Sequence, residues 1–181
     1  TYVRTLGREY TIGRYGPVKV RPSDKKDHYF KRCVAVAGDT LEIINGQVFV
    51  NSQAQEVWPG VQNSYTVITK GQRINPKNLE NLGLNTSELM YDPSLPGYRA
   101  MPLTAEMLET IKSYSSVDTL MQNIDRYPAD YPDSYQTIFP FTADYKWTRD
   151  NFGPLWIPAK GATVELTTAN LPLYERIITS Y

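Results

Sequence analysis

The stretch Tyr29-Phe30-Lys31-Arg32-Cys33-Val34-Ala35-Val36-Ala37-Gly38-Asp39-Thr40-Leu41-Glu42-Ile43-Ile44-Asn45-Gly46-Gln47-Val48-Phe49-Val50-Asn51 decides the fold. Its second half reads as a β-hairpin. Asn45-Gly46 suits a two-residue type I′ turn, because both central positions take positive φ. Such a turn sets Ile43 opposite Val48 and Leu41 opposite Val50, which gathers one aliphatic face. Glu42, Ile44, Gln47 and Phe49 form the other, more polar face, and a one-residue slip would scramble the sorting. Ala37-Gly38-Asp39-Thr40 reads as a turn. The first half, Tyr29 to Val36, reads as an apolar strand carrying two adjacent cations. Side chains alternate along a strand, so Lys31 lies among Tyr29, Cys33 and Ala35, and Arg32 among Phe30, Val34 and Val36. Both faces are apolar, which predicts a strand buried on both sides. A charge in such a place needs a partner or a task. Arginine keeps its proton and needs an acceptor, whereas a desolvated lysine can give its proton up and act as a base.

The Lys-Arg pair, the Gly38-Asp39 turn at a fixed distance and the hairpin together resemble the lysine-bearing segment of bacterial type I signal peptidases. The residue before Gly38 is usually proline in that family and is Ala37 here, which loosens the turn without touching the chemistry. Phe152-Gly153-Pro154-Leu155-Trp156-Ile157-Pro158, with Gly161-Ala162-Thr163-Val164 and Leu173-Tyr174-Glu175-Arg176-Ile177-Ile178, also resembles a variety of the family with a long insertion. The resemblance implies an α+β fold, mainly antiparallel β, with an inserted subdomain bearing short helices. It implies a serine/lysine dyad in which Lys31 is the catalytic base and Arg32, Gly38 and Asp39 support the site. The serine attacks the scissile carbonyl, neutral Lys31 takes its proton, and the ester intermediate is hydrolysed with the lysine activating water. No cofactor and no metal are implied. The implied partners are signal peptides of exported preproteins, bound in extended form with small residues before the cleavage point. The implied location is the extracytoplasmic (periplasmic) face of the bacterial inner membrane, held by an anchor outside this chain.

The family's nucleophile lies in a Ser-Met-x-Pro motif, which does not occur here. Ser94-Leu95-Pro96 has the wrong spacing and lies downstream of the lysine, whereas the family places its serine upstream. A Gly-Asp-Asn-Arg motif with a later Ser-x-Asp is missing too; Arg149-Asp150-Asn151 shares letters in another order. These absences predict an excised middle portion of a longer enzyme, lacking the serine motif and inactive as a peptidase by itself.

Composition narrows the alternatives. The 181 residues suffice for one domain with a sizeable insertion. The formal net charge of zero provides no long-range attraction to nucleic acid or an anionic membrane. No apolar stretch is long enough to span a bilayer, and no signal peptide opens the chain. The single cysteine excludes an internal disulfide and a cysteine-rich metal site, and Cys33 serves as a small buried hydrophobe. His28, the one histidine, lies among Ser23, Asp24 and Asp27 in a charged loop. Adjacency in sequence is not the convergence in space that a triad requires, and one histidine without a cysteine cluster does not make a zinc site. Asn85-Thr86-Ser87 matches the glycosylation pattern, which is frequent by chance.

Along the chain, Arg8 to Tyr15 is polar and ambiguous. Gly16 to Pro22 reads as a strand antiparallel to the lysine strand. Residues 1–51 thus form part of a catalytic β core, 52–145 an inserted subdomain, and 146–181 strands and a closing helix leading back to that core. Within the insertion, Asn75-Pro76 opens a short helix that Gly83 can close. Thr104 caps a helix through about Lys112, with Leu103 and Leu108 as a hydrophobic staple. A further helix is predicted from Ser115 or Ser116, burying Val117, Leu120, Met121 and Ile124. Tyr127 to Pro140 reads as an aromatic, proline-rich loop. Trp156-Ile157 and Ala162 to Leu166 read as strands, and Asn170 to Ser180 as the closing helix.

Two rival readings remain. In one, the chain is a non-catalytic binding or assembly module whose Lys31 pairs with an acid or snorkels. In the other it belongs to a different serine/lysine protease, such as a self-cleaving repressor, which dispenses with a membrane anchor. The sequence upstream of Thr1 separates them.

Overall fold

The hairpin forms with the register its turn dictates. Strand β1 (Thr40–Ile44) and strand β2 (Gln47–Val50) pair antiparallel with Ile43 opposite Val48 and Leu41 opposite Val50. Asn45 and Gly46 take φ of 49° and 84°, as a type I′ turn requires. In this computed structural model, residues 3, 6–17, 19, 22–25, 27–128 and 138–180 are described. They fall into two compact units, Thr1–Cys33 and Val34–Tyr181.

The larger unit is α+β, with two four-stranded antiparallel sheets. In the first, β3 (Gln53–Ala54) pairs with β2, and β8 (Phe152–Trp156) pairs with the other edge of β1, giving the order β3-β2-β1-β8. A register irregularity separates the Leu41–Leu155 and Ile43–Phe152 pairs. Gly153 sits there at φ +91°, where an added Cβ would stand 2.6 Å from Leu41 O. Only glycine adopts that backbone without strain and leaves room for β1.

The second sheet has the order β5-β6-β4-β7 and is built from β4 (Asn63–Thr69), β5 (Tyr91–Asp92), β6 (Gly97–Leu103) and β7 (Val117–Gln122). All its strands lie between β3 and β8 in the chain. The buried apolar core belongs to this sheet and its helices: Val67, Ile74, Leu79, Leu84, Tyr98, Met101, Leu103, Ile111 and Val117. Helix α2 (Pro76–Asn81) starts at Asn75, whose side chain accepts from Lys77 N–H at 3.0 Å. Helix α3 (Ala105–Lys112) starts at Thr104, whose hydroxyl accepts from Met107 N–H at 3.2 Å. Tyr98 ties the loop before α2 into the core, its hydroxyl accepting from Ile74 N–H at 3.2 Å. Helix α4 (Leu171–Ser180) closes the chain.

The smaller unit carries helix α1 (Arg8–Tyr15), where the sequence alone was ambiguous, and a 3₁₀ turn at Ser23–Lys25. Residues 18, 20 and 21 of the Gly16–Pro22 strand expectation, and hence its pairing, lie outside the described residues, as do 129–137 of the aromatic loop.

Three expectations need correction. Residues 29–36 form no strand, and all but the half-buried Ala35 are exposed, with Tyr29 at 79% and Phe30 at 95%. A strand lasts only where a neighbour takes its backbone groups. Both edges of β1 are filled by β2 and β8, and no ladder among the described residues includes 29–36. The predicted helix after Ser116 is instead strand β7. β7 pairs Ile68 with Thr119 but Thr69 with Val117, leaving Asp118 as an extra residue. One extra residue reverses the alternation of faces, so Val117 and Leu120 share a face at a spacing that mimics a helix. Ala162 to Leu166 lies in no strand either; β-branched composition without an adjoining edge does not make one.

Met101 is fully buried in the second sheet whereas Phe30 is almost fully exposed. Met101→Ala is expected to cost about 2–5 kcal/mol in urea unfolding, and Phe30→Ala less than about 0.5 kcal/mol.

Candidate functional site

The Gly38-Asp39 turn is held from three sides. Gly38 N–H donates to Ile157 O at 2.7 Å and Ile157 N–H donates to Asp39 O at 2.8 Å, carrying the β1–β8 ladder past the end of β8. The Asp39 carboxylate accepts from Val36 N–H at 2.9 Å and from the Asn51 side-chain amide at 2.8 Å. The same Asn51 side chain accepts from Thr40 N–H at 2.9 Å, while Asn51 N–H donates to Thr40 O at 2.9 Å. Asn51 sits at φ 52°, a left-handed conformation that asparagine tolerates better than most residues. Gly38 itself has φ +100°, and the nearest atom to an added Cβ would be 3.8 Å away. Backbone conformation, not lack of space, demands glycine at this position. The hydrogen bond from Val36 N–H, then that from Asn51, holds the Asp39 carboxyl below its ordinary range, against a smaller opposing effect of desolvation.

Lys31 and Arg32 lie in the smaller unit, on an exposed stretch without regular structure. The environment inferred for Lys31 from alternation, an apolar face shared with Tyr29, Cys33 and Ala35, is therefore not formed: Tyr29 and Cys33 are exposed. Of the four expected site residues, Gly38 and Asp39 meet in one corner of the larger unit, and Lys31 and Arg32 lie outside that unit. Asp27 and His28 are exposed and outside regular structure, and Cys33 is a free cysteine. Among the described residues no group of three His, Cys, Asp or Glu side chains could hold a metal ion. No helix among them is long and apolar enough to cross a membrane.

A second constellation had no sequence signal. At the opposite end of β1, Asn45 N–H donates to the Asn151 side chain at 3.1 Å and Gly46 N–H donates to Asp150 O at 2.8 Å. Asp150 in turn accepts from Asp125 N–H at 2.6 Å, and the Thr148 hydroxyl donates to Asp125 O at 2.6 Å. The polar letters of Arg149-Asp150-Asn151 thus tie the hairpin turn to the chain leaving the second sheet.

A family model described as "Signal peptidase, peptidase S26" matches residues 11–119. That span holds Lys31, the Gly38-Asp39 corner, the hairpin and most of the second sheet. The chain belongs to the signal peptidase family, and signal peptidase function in general comes with that membership. No curated protein and no solved structure matches it.

The depressed Asp39 carboxyl has a pH signature. A lowered carboxyl contributes stability above its ordinary pKa of 3.8, and the contribution is lost as pH falls through the folded value. Asp39→Ala is expected to lower Tm at pH 7, with the difference from the parent chain shrinking once pH drops below about 3.8. A difference of equal size at pH 7 and pH 2 would assign the loss to packing instead.

Proposed function

We propose that this chain is the lysine-bearing part of a membrane-bound serine endopeptidase that removes N-terminal signal peptides from exported preproteins. Lys31 is the general base of a serine/lysine dyad, and the serine comes from a Ser-Met-x-Pro motif outside this sequence. Neutral Lys31 accepts the serine's proton as its oxygen attacks the scissile carbonyl, then activates the water that hydrolyses the ester. Arg32 is an architectural neighbour. Residues 1–51 contribute to the catalytic β part, 52–145 are an insertion, and 146–181 return to it. The enzyme works at the extracytoplasmic face of the membrane, held by an anchor outside these residues.

The observation that carries this reading is the family match over residues 11–119, which includes Lys31 in its Lys-Arg-Cys-Val-Ala-Val context before Gly38-Asp39. The Gly38-Asp39 corner supports it as well, since it fixes the point from which the lysine-bearing run departs. A general base needs a desolvated amine beside the nucleophile. The exposed run 29–36 therefore has to be covered by the part of the enzyme that supplies the serine. The same exposure favours one alternative, a binding or assembly module in which Lys31 has no catalytic task.

The two are separated in the full-length enzyme. Lys31→Met should abolish cleavage of a signal-peptide substrate, by about 10³-fold or more, while leaving Tm nearly unchanged. The isolated 181-residue chain should release no signal peptide. Normal turnover by the Lys31→Met enzyme would establish the module reading; cleavage by the isolated chain would refute the need for an external serine.

A further inference from the structure

Val36, where the run from Lys31 enters the turn before β1, is gripped at both backbone groups by one residue. Its N–H donates to the Asp39 carboxylate at 2.9 Å, and its C=O accepts from Asp39 N–H at 3.0 Å. Asp39 is in turn tied to the chain beyond β8, its C=O accepting from Ile157 N–H at 2.8 Å. The backbone of Val36 therefore follows the plane of the Asp39 carboxylate.

A carboxylate turns easily about its last torsion, so one hydrogen bond leaves that plane free. The second comes from the Asn51 amide, which donates to the other carboxylate oxygen at 2.8 Å. Asn51 is itself locked on Thr40, its side-chain oxygen accepting from Thr40 N–H and its own N–H donating to Thr40 O, both at 2.9 Å. An exposed residue at φ 52° thus joins the end of β2 to the entry of β1 through three hydrogen bonds. Its donors and acceptors match their partners with none left in conflict.

This linkage bears on the cations upstream. Lys31 and Arg32 are neighbours, so in an extended run they point to opposite faces. Parity puts Arg32 on the face of Val36 and Lys31 on the other. A one-residue slip exchanges the two, and arginine, which keeps its proton, then stands where the base belongs. We propose, on the reading of Lys31 as the general base, that Asn51 is a positioning residue for it. By fixing the Asp39 carboxylate on Val36 N–H, Asn51 sets the register in which the lysine-bearing run leaves β1, and so the face to which Lys31 is presented.

The test is an exchange of acid and amide in the full-length enzyme. In Asn51→Asp two carboxylates face each other. In Asp39→Asn two amides do, and whichever way they turn one of the bonds is lost. In the double variant the amide at position 39 accepts from Val36 N–H and donates to the carboxylate at position 51, which still accepts from Thr40 N–H. Each single variant should lower kcat about tenfold or more at nearly unchanged KM. Each should also move the lysine limb of the pH profile of kcat/KM upward, because a lysine turned into water regains its higher pKa. The double variant should return kcat to within about threefold of the parent, a strongly non-additive cycle, and return the limb to its parental position. Should a single variant fail to fold, Asn51→Gly keeps the left-handed backbone without the amide and carries the same expectations. Normal kcat in both single variants, a loss that follows a lowered Tm with the limb unmoved, or a double variant no better than the singles would overturn the proposal. Lys31→Met separates the two possible failures. If that enzyme turns over normally, the dyad reading falls and the role of Asn51 with it; if it is inactive while both single variants are normal, only the role of Asn51 falls.

Discussion

The first sheet, and with it the return of the chain from the second, depends on β1 being paired along both edges. On one side stands β2, two turn residues away; on the other stands β8, brought back from beyond the second sheet. The Asn45–Asn151 hydrogen bond spans 106 residues. Closing a flexible loop of that length costs roughly 4 kcal/mol in chain entropy. The intervening chain is not flexible, however, because its strands and helices bury their own core around Val67, Met101 and Ile111. Its own fold shortens the effective loop that the β1–β8 pairing closes. Gly153 then lets β8 come close, where a side chain would collide with Leu41 O.

Asparagine side chains reinforce this pairing at the two ends of β1. Asn51 spans the Asp39 carboxylate and the Thr40 backbone at the corner. Asn151 takes the Asn45 N–H at the turn. An amide both donates and accepts, so one side chain can satisfy groups on two segments that carry no complementary charges. The corner is thereby defined at the point where the run toward the lysine leaves the sheet. Both ends of β1 are thus fixed by side chains from other segments of the larger unit.

The segment carrying Lys31 shows the limit of reading burial from pattern. Tyr29, Phe30, Val34 and Val36 form an apolar run that fits the centre of a sheet, yet all four are exposed. Hydrophobicity states what a segment would gain by being covered. It does not state whether a covering surface is present. The family match covers that run without supplying such a surface.

Short-range chemistry was therefore legible from the residues themselves. The Asn45-Gly46 turn, the Ile43–Val48 register, and the caps at Asn75 and Thr104 each depend on atoms a few positions apart, whose geometry local sterics dictate. The family resemblance was legible in the same way, as a pattern of neighbours. What lay beyond reach depended on segments distant in the chain. β7 imitates a helix until its extra residue at Asp118 meets β4. The Asn51–Asp39 link exists because two turns converge. Local sequence determined the turns, caps and chemical signature through contacts it contains. The tertiary structure decided strand partners, burial and the Asn51–Asp39 link, because each needs a surface that another part of the chain provides.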